Sequence, residues 1–281
     1  MMRETTKNEN SLYEFVKTIV VALLLAGFFR SLFFQPFWIP SGSMKQTLMI
    51  GDFIFVNKMA YGYSYASCPS IPFTSITSDK LCGFIKGDNT RIFGGSPERG
   101  DVVVFRHPVT GADYIKRLVG LPGDKLQMKD GNLILNGVLL ETKNDGVFRE
   151  KMEPQGSLGR RPRCSNGAVG NGGICEKERS IETLPSGQSY ATLNIVNGAR
   201  GDNTSIFSVP DGHYFFMGDN RDNSTDSRFP QVFDRSRQTG VGFVKYENIV
   251  GRADRIMFSS AGRSMFYFWT WRSDRFFEAV E

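Results

Sequence analysis

The chain divides into a polar start, one long apolar run, a succession of short alternating segments and an aromatic end. Residues 1–14 mix charges with nothing to pack and read as a cytoplasmic tail. From Phe15 to Phe34 the run FVKTIVVALLLAGFFRSLFF gives twenty residues, about 30 Å as a helix, which matches a bilayer core. The pattern predicts one N-terminal transmembrane helix over 15–34. Lys17 and Arg30 lie near its ends, where their stems can reach headgroups, and only Thr18 to Phe29 is uncharged. A buried soluble helix or a cleavable signal peptide therefore stays open as an alternative. Phe28, Phe29, Phe33, Phe34, Phe37 and Trp38 would form an interfacial aromatic belt.

Past Met44 the period shortens to two. Phe53 to Val56 reads as a strand buried on both faces, Val102 to Phe105 as a β-branched strand after a glycine turn, and Tyr114 to Val119 as a third. LQMKDGNLILNG predicts a hairpin with Asp130-Gly131 at its tip, a pair that accepts positive φ. Ser205 to Val209, His213 to Met217, Val241 to Val250 and Arg252 to Phe258 read as further strands. The expected fold is mostly β: an antiparallel β-sheet core over 35–140 and 205–260, with a β-rich inserted subdomain over 141–204 that is rich in Gly, Ser, Asn and Arg. The segment 261–281 carries MFYFWTW, too short to span, and reads equally as interface-seeking or core-packing.

Composition changes this picture little. A 40% hydrophobic chain of 281 residues has enough apolar material for a sizeable core. The net charge of +5 is scattered, with no basic stripe, which fits work near anionic lipid better than a grip on nucleic acid. The four cysteines fall as two close pairs, Cys68 with Cys82 and Cys164 with Cys175, neither with zinc spacing. In an oxidising compartment each pair closes a surface loop by a disulfide; in the cytosol all four are free thiols.

Candidate chemistry gathers at three places. Pro40-Ser41-Gly42-Ser43-Met44 follows the apolar run, where the prolines stop a helix and Gly42 relieves backbone crowding, so Ser43 is held at a sharp turn as a candidate nucleophile. A serine hydroxyl needs an adjacent base. His107 and His213 are the only histidines, and neither is distinguished by its surroundings in sequence. In the Tyr114 to Val119 strand, Lys116 shares a face with Tyr114 and Leu118 while Arg117 shares the other with Ile115 and Val119, so one basic side chain must face apolar surroundings or a sheet margin. A lysine buried there loses hydration of its charged form and approaches the pKa of a general base. The third cluster, Gly218 to Arg228, is dense in Asp, Asn and Ser; it lacks the glutamate and central glycine of an EF-hand and contains two arginines, which argues against calcium.

Taken in order behind an N-terminal apolar segment, PSGSM, GDFIFVNKMAYG, RGDVVVF, YIKRLVGLPGD and GDNRDNSTDSR resemble the bacterial type I signal peptidases, or leader peptidases. The motifs cover most of Phe37 to Asp124 and Tyr214 to Arg255. The resemblance implies a Ser-Lys serine endopeptidase with a β-rich catalytic core that removes signal peptides from exported preproteins. Ser43 resembles the nucleophile, Lys116 the general base, and the Ser41 hydroxyl with the Ser43 backbone N–H the oxyanion donors. Ser224 resembles the residue that orients the lysine, and Asp219, Arg221, Asp226 and Arg228 resemble a supporting ion-pair network. Phe37, Ile39, Met44, Leu48, Ile54, Tyr114 and Ile115 would line pockets for small side chains. The resemblance also implies the bacterial cytoplasmic (inner) membrane, a single pass with the catalytic domain on its outer, periplasmic side, a lipid bilayer partner and proximity to the secretion translocon, and it favours both disulfides. It calls for neither a metal nor an organic cofactor.

Two rival readings share part of this pattern. A self-cleaving Ser-Lys repressor peptidase would carry a DNA-binding module in place of the apolar segment. A catalytically inactive membrane-tethered binding protein on the same scaffold would have no need of Ser43 and Lys116.

Overall fold

The computed structural model describes residues 5–68, 82–85, 87, 91–231, 239–262 and 264–281. Residues 1–4 of the expected tail, 69–81 of the first cysteine loop and the side chains of Phe28 and Phe29 lie outside the described residues. Helix α1 covers Thr5–Leu32. Strands follow as β1 (Phe34–Trp38), β2 (Asp52–Asn57), β3 (Val102–Arg106), β4 (Asp113–Gly120), β5 (Lys125–Lys129), β6 (Asn132–Leu135) and β7 (Val138–Leu139). The remainder are β8 (Glu141–Lys151), β9 (Ile174–Thr183), β10 (Ser189–Asn194), β11 (Phe207–Ser208), β12 (His213–Met217), β13 (Val244–Lys245) and β14 (Ile249–Ser259).

The protein is mostly β, as the periodicity predicts, and its strands pair antiparallel. The main sheet runs β1-β2-β14-β3-β4-β12-β13; β11-β5-β6-β7 forms a second and β10-β9-β8 a third. At strand β3 the main sheet is closed to water on both faces. Val102 and Val104 join one apolar cluster with Ile39, Met44, Leu48 and Ile54, while Val103 and Phe105 join another with Leu118 and Phe216. A continuous β-branched run is what a central strand between two cores requires. Phe105 stacks on Phe216 with ring centres 4.5 Å apart. The expected hairpin forms between β5 and β6, with Asp130 at φ 48° and Gly131 at φ 78°. Both cysteine pairs are disulfides, Cys68 with Cys82 and Cys164 with Cys175.

The structure corrects several expectations. In place of a span over 15–34, α1 ends at Leu32 and Phe34 already belongs to β1; among the described residues no helix is long and apolar enough to cross a membrane. The reason is chemical: Glu14 and Lys17, paired at 3.7 Å, and Arg30 confine the uncharged stretch to Thr18 to Phe29. Side chains from Leu12 to Leu25 are nevertheless exposed. Phe34, Phe37 and Trp38 belong to an edge strand paired with β2. On β2 Ile54 and Val56 are the buried apolar residues, alongside buried Asp52; Phe53 and Phe55 are half-buried, and Phe53 stacks on Phe258 with centres 4.4 Å apart. The expected Val241 to Val250 strand is broken by a short helical turn at Tyr246–Asn248, because the chain must leave the sheet edge at β13 and re-enter between β2 and β3 as β14. Of Ser205 to Val209, only Phe207–Ser208 pairs. In MFYFWTW, Phe266, Phe268 and Trp269 are largely exposed, so the segment is not core-packing.

Candidate active site

The Ser41-Gly42-Ser43 turn is pegged at both ends. Ile39 exchanges backbone hydrogen bonds with Asp52 and Gly51, and beyond the turn Met44 and Leu48 are fully buried plugs in the core. The turn is also stitched to the Gly218 to Arg228 segment. Asn220 donates from its backbone N–H to Ser43 O at 3.0 Å and from Nδ2 to Gly42 O at 2.9 Å. Gly218 makes this approach possible, since a Cβ there would lie 2.7 Å from Ser43 O and 2.3 Å from Ser224 Oγ. The backbone carrying Ser43 is thereby fixed before any ligand arrives.

Strand β4 brings the lysine. Lys116 Nζ donates to Ser43 Oγ at 2.7 Å and to Ile115 O at 2.9 Å, and the residue is 4% exposed. Burial pushes its pKa down to about 8, against the pull of Asp226 and Asp219. That pull is weak because each carboxylate already has its own arginine. Asp226 pairs with Arg228 at 2.9 Å, and Asp219 accepts both Nε and Nη2 of Arg117 at 2.9 and 2.8 Å. Burial alone would raise Asp226, but the Arg228 guanidinium and the Gly218 N–H hold it below the usual carboxylate range. The amine beside Ser43 is therefore free of a salt bridge and can lose its proton near neutrality. Ser41 Oγ lies 3.4 Å from Ser43 Oγ, on the rim of the same site.

The sequence left open which basic residue of β4 is buried; both are. Arg117 is fully buried and donates also to Gly100 O, Thr47 Oγ1 and Glu281 O, with its guanidinium 4.1 Å from the Tyr190 ring centre. The four residues expected as one ion-pair network divide among three pairs. Arg221 turns to Glu182 at 2.8 Å, linked to Arg228 through its own carbonyl, and Asp219 turns to Arg117. Ser224 Oγ is buried against Gly218 without a well-formed hydrogen bond and makes none to Lys116, although it lies close enough to Asp226 to help keep that carboxyl ionised. His107 and His213 stand outside the cleft; His107 Nδ1 accepts from Val109 and Thr110 N–H.

A cleft of about 530 Å³ opens over the pair, lined by Pro40, Ser41, Ser43, Tyr114, Ile115 and Lys116 among others. Of the seven expected pocket residues, Tyr114 and Ile115 line it. Ile39, Met44, Leu48 and Ile54 are packed in the core with at most 2% exposure, and Phe37 packs partly buried against them.

Sequence reasoning missed one cluster. Lys45, two residues after Ser43, donates to Glu150 at 2.5 Å and to Gln155 at 2.7 Å, and Lys177 also pairs with Glu150. Lys45 and Lys177 are almost wholly buried. No local signal marks these residues, because Glu150 lies in β8, Gln155 just beyond it and Lys177 in β9, over a hundred positions along the chain from the Ser43 turn.

A buried serine–lysine pair in an open cleft is the arrangement used by the serine hydrolases in which an amine stands in place of histidine. Residues 12–258 match the family described as signal peptidase, peptidase S26. The chain is 35% identical over 267 residues to signal peptidase I of Rickettsia typhi, covering 92% of this chain and 85% of that protein. It is 36% identical over 264 residues to signal peptidase I of Rickettsia prowazekii, covering 92% and 82%. A crystal structure of a signal peptidase I from Enterococcus faecalis V583 aligns at 26% identity with a TM-score of 0.29, over 56% of this chain and 97% of that one. This chain belongs to the signal peptidase family S26.

Proposed function

We propose that this protein is a serine endopeptidase that removes signal peptides from exported preproteins. The observation that carries the reading is the 2.7 Å contact between Ser43 Oγ and a buried, carboxylate-free Lys116 in a chain of this family. Neutral Lys116 takes the Ser43 proton as Oγ attacks the scissile carbonyl carbon. The tetrahedral oxyanion is met by the Ser41 hydroxyl and the Ser43 backbone N–H. Its collapse breaks the C–N bond, and the leaving amine takes the proton from Lys116. The Lys116 amine then deprotonates water, whose oxygen attacks the ester carbon; collapse of that second intermediate breaks the bond to Ser43 Oγ, and Lys116 returns the proton to the serine oxygen. Asp219 and Asp226, each held by an arginine, fix the segment that carries Asn220 and Ser224.

The bilayer is the expected partner, supported by the exposed apolar side chains of α1 and by Phe266, Phe268 and Trp269. We place the catalytic domain on the outer face of the bacterial cytoplasmic membrane, where both disulfides persist. Residues 35–140 and 205–260 then act as the catalytic core, with 141–204 as an insertion.

The test uses detergent-solubilised full chain and a preprotein with an Ala-x-Ala site. Wild type is expected to cut after the second alanine and Ser43→Ala to leave the preprotein intact; cutting by Ser43→Ala at the wild-type rate removes the assignment. Ser41→Ala, which deletes one oxyanion donor, is expected to lower kcat by about 10²-fold with little change in KM. Steady-state kinetics on a peptide substrate read this directly, and an unchanged kcat excludes Ser41 from the oxyanion site.

A further inference from the structure

The cleft over Ser43 and Lys116 is lined by apolar or aromatic Pro40, Ile50, Tyr114 and Ile115 and by polar Asn220, Asn223 and Thr225. Its two carboxylates, Asp113 and Glu150, are each taken by cations, Arg106 for the first and Lys45 with Lys177 for the second, while Arg160, Arg161 and Arg163 bring three guanidinium groups. All three arginines are exposed, and none pairs with a carboxylate among the described residues. Apart from Lys116, the other cations about the site are matched: Lys45 and Lys177 share Glu150, Arg117 has Asp219, and Arg228 has Asp226. An unmatched row of charge beside a reaction centre is therefore a particular feature of the strap formed by residues 160–163.

The strap is also held in place. Gln155 N–H donates to Arg160 O at 2.9 Å, and Gln155 Oε1 accepts from Lys45 Nζ at 2.7 Å, two residues from the nucleophile. At the other end Arg163 Nη1 donates to Asp222 O at 2.6 Å, next along the chain from Cys164, which is disulfide-bonded to the buried Cys175. Fixed cations lose less freedom on meeting an anion than cations on a loose loop.

We propose that Arg160, Arg161 and Arg163 read the residues just after the cut and favour substrates whose mature segment begins with carboxylates. This rests on the peptidase reading above. Small side chains before the cut occupy the apolar lining, so the arginines are left to meet the chain beyond it. Anionic headgroups are the rival ligand, but these side chains line the reaction cleft, on the path of the peptide.

The experiment compares peptides identical up to an Ala-x-Ala site and followed by Glu-Glu, Gln-Gln or Lys-Lys, cut by the full chain in neutral detergent. At low salt kcat/KM for Glu-Glu is expected to exceed that for Gln-Gln by roughly fivefold to tenfold, the ratio that two or three partly exposed charge pairs supply. Lys-Lys should fall below both, and the differences should fade at about 0.5 M salt. R160E/R161E is expected to reverse the order, which loss of loop structure alone cannot do. R160Q/R161Q/R163Q should bring the ratio near one. Equal rates for the three peptides with wild type, or the wild-type order retained by R160E/R161E, overturns the proposal. If no peptide is cut, the peptidase reading fails; labelled peptides bound to Ser43→Ala then decide separately, with tighter Glu-Glu binding supporting the arginine assignment and equal binding ending it. If charge reversal weakens binding to vesicles of anionic lipid and leaves the peptide order intact, the strap serves lipid and the proposal is wrong.

Discussion

Lys116→Met is expected to stay folded, become more stable at neutral pH and lose about 10³-fold or more in kcat/KM, within the range by which a positioned base accelerates reactions. The stability gain follows from linkage. The folded protein sheds the Lys116 proton at about 8, while the unfolded chain holds its proton up to the ordinary lysine value of 10.5. Between those values the unfolded state binds more protons, so wild-type stability rises with pH across that window. Below it the folded protein carries the whole cost of a buried charge, up to about 3 kcal/mol, which methionine removes. Urea denaturation at pH 7 and again near pH 10 should show the variant's advantage at the lower pH shrinking at the higher one. In wild type, activity should rise with pH to a plateau above about 8. A rise centred well below 8 would point to a base other than Lys116, and neither histidine lines the cleft.

Asp219→Ala should cost about 3–5 kcal/mol of stability, because it leaves Arg117 charged and buried without its carboxylate. Arg117 is fully buried, and both Asp219 oxygens accept from it. The same change removes one of the two charges that raise the Lys116 pKa, so the rising limb of any remaining activity should move to lower pH. The urea midpoint and the pH profile read these effects independently. A midpoint within about 1 kcal/mol of wild type would mean that Thr47, Gly100 and Glu281 suffice to hold Arg117. A limb that stays in place would mean that the Asp219 charge is screened from the amine.

The residues at the site were largely legible, and their partners were not. Ser43 stands out as a hydroxyl at a turn bounded by prolines, and Lys116 as a cation in a strand that cannot leave both its basic residues in water. Arg117 could have been added on the same ground. Nothing near Asp219 in sequence says that it pairs with Arg117 rather than with its neighbour Arg221, nor that Arg221 turns to Glu182. The expected pocket residues Ile39, Met44, Leu48 and Ile54 are apolar in sequence whether they line a cleft or fill a core, and the fold puts them in the core.

Apolar runs, alternation and turn chemistry gave β2, β3, β4, β12, most of β14 and the hairpin at Asp130-Gly131 from sequence alone, because backbone sterics and side-chain direction act within a few residues. Tertiary structure decided where α1 stops, how β1 joins the sheet, which arginine each carboxylate takes, and that Glu150 of β8 reaches Lys45 beside the Ser43 turn and Lys177 of β9 as well. It also decided that Lys116 sits dry next to Ser43, 73 positions away in the chain. Desolvation and ion pairing depend on what the completed fold places around a group, and that surrounding comes from segments that local periodicity does not connect.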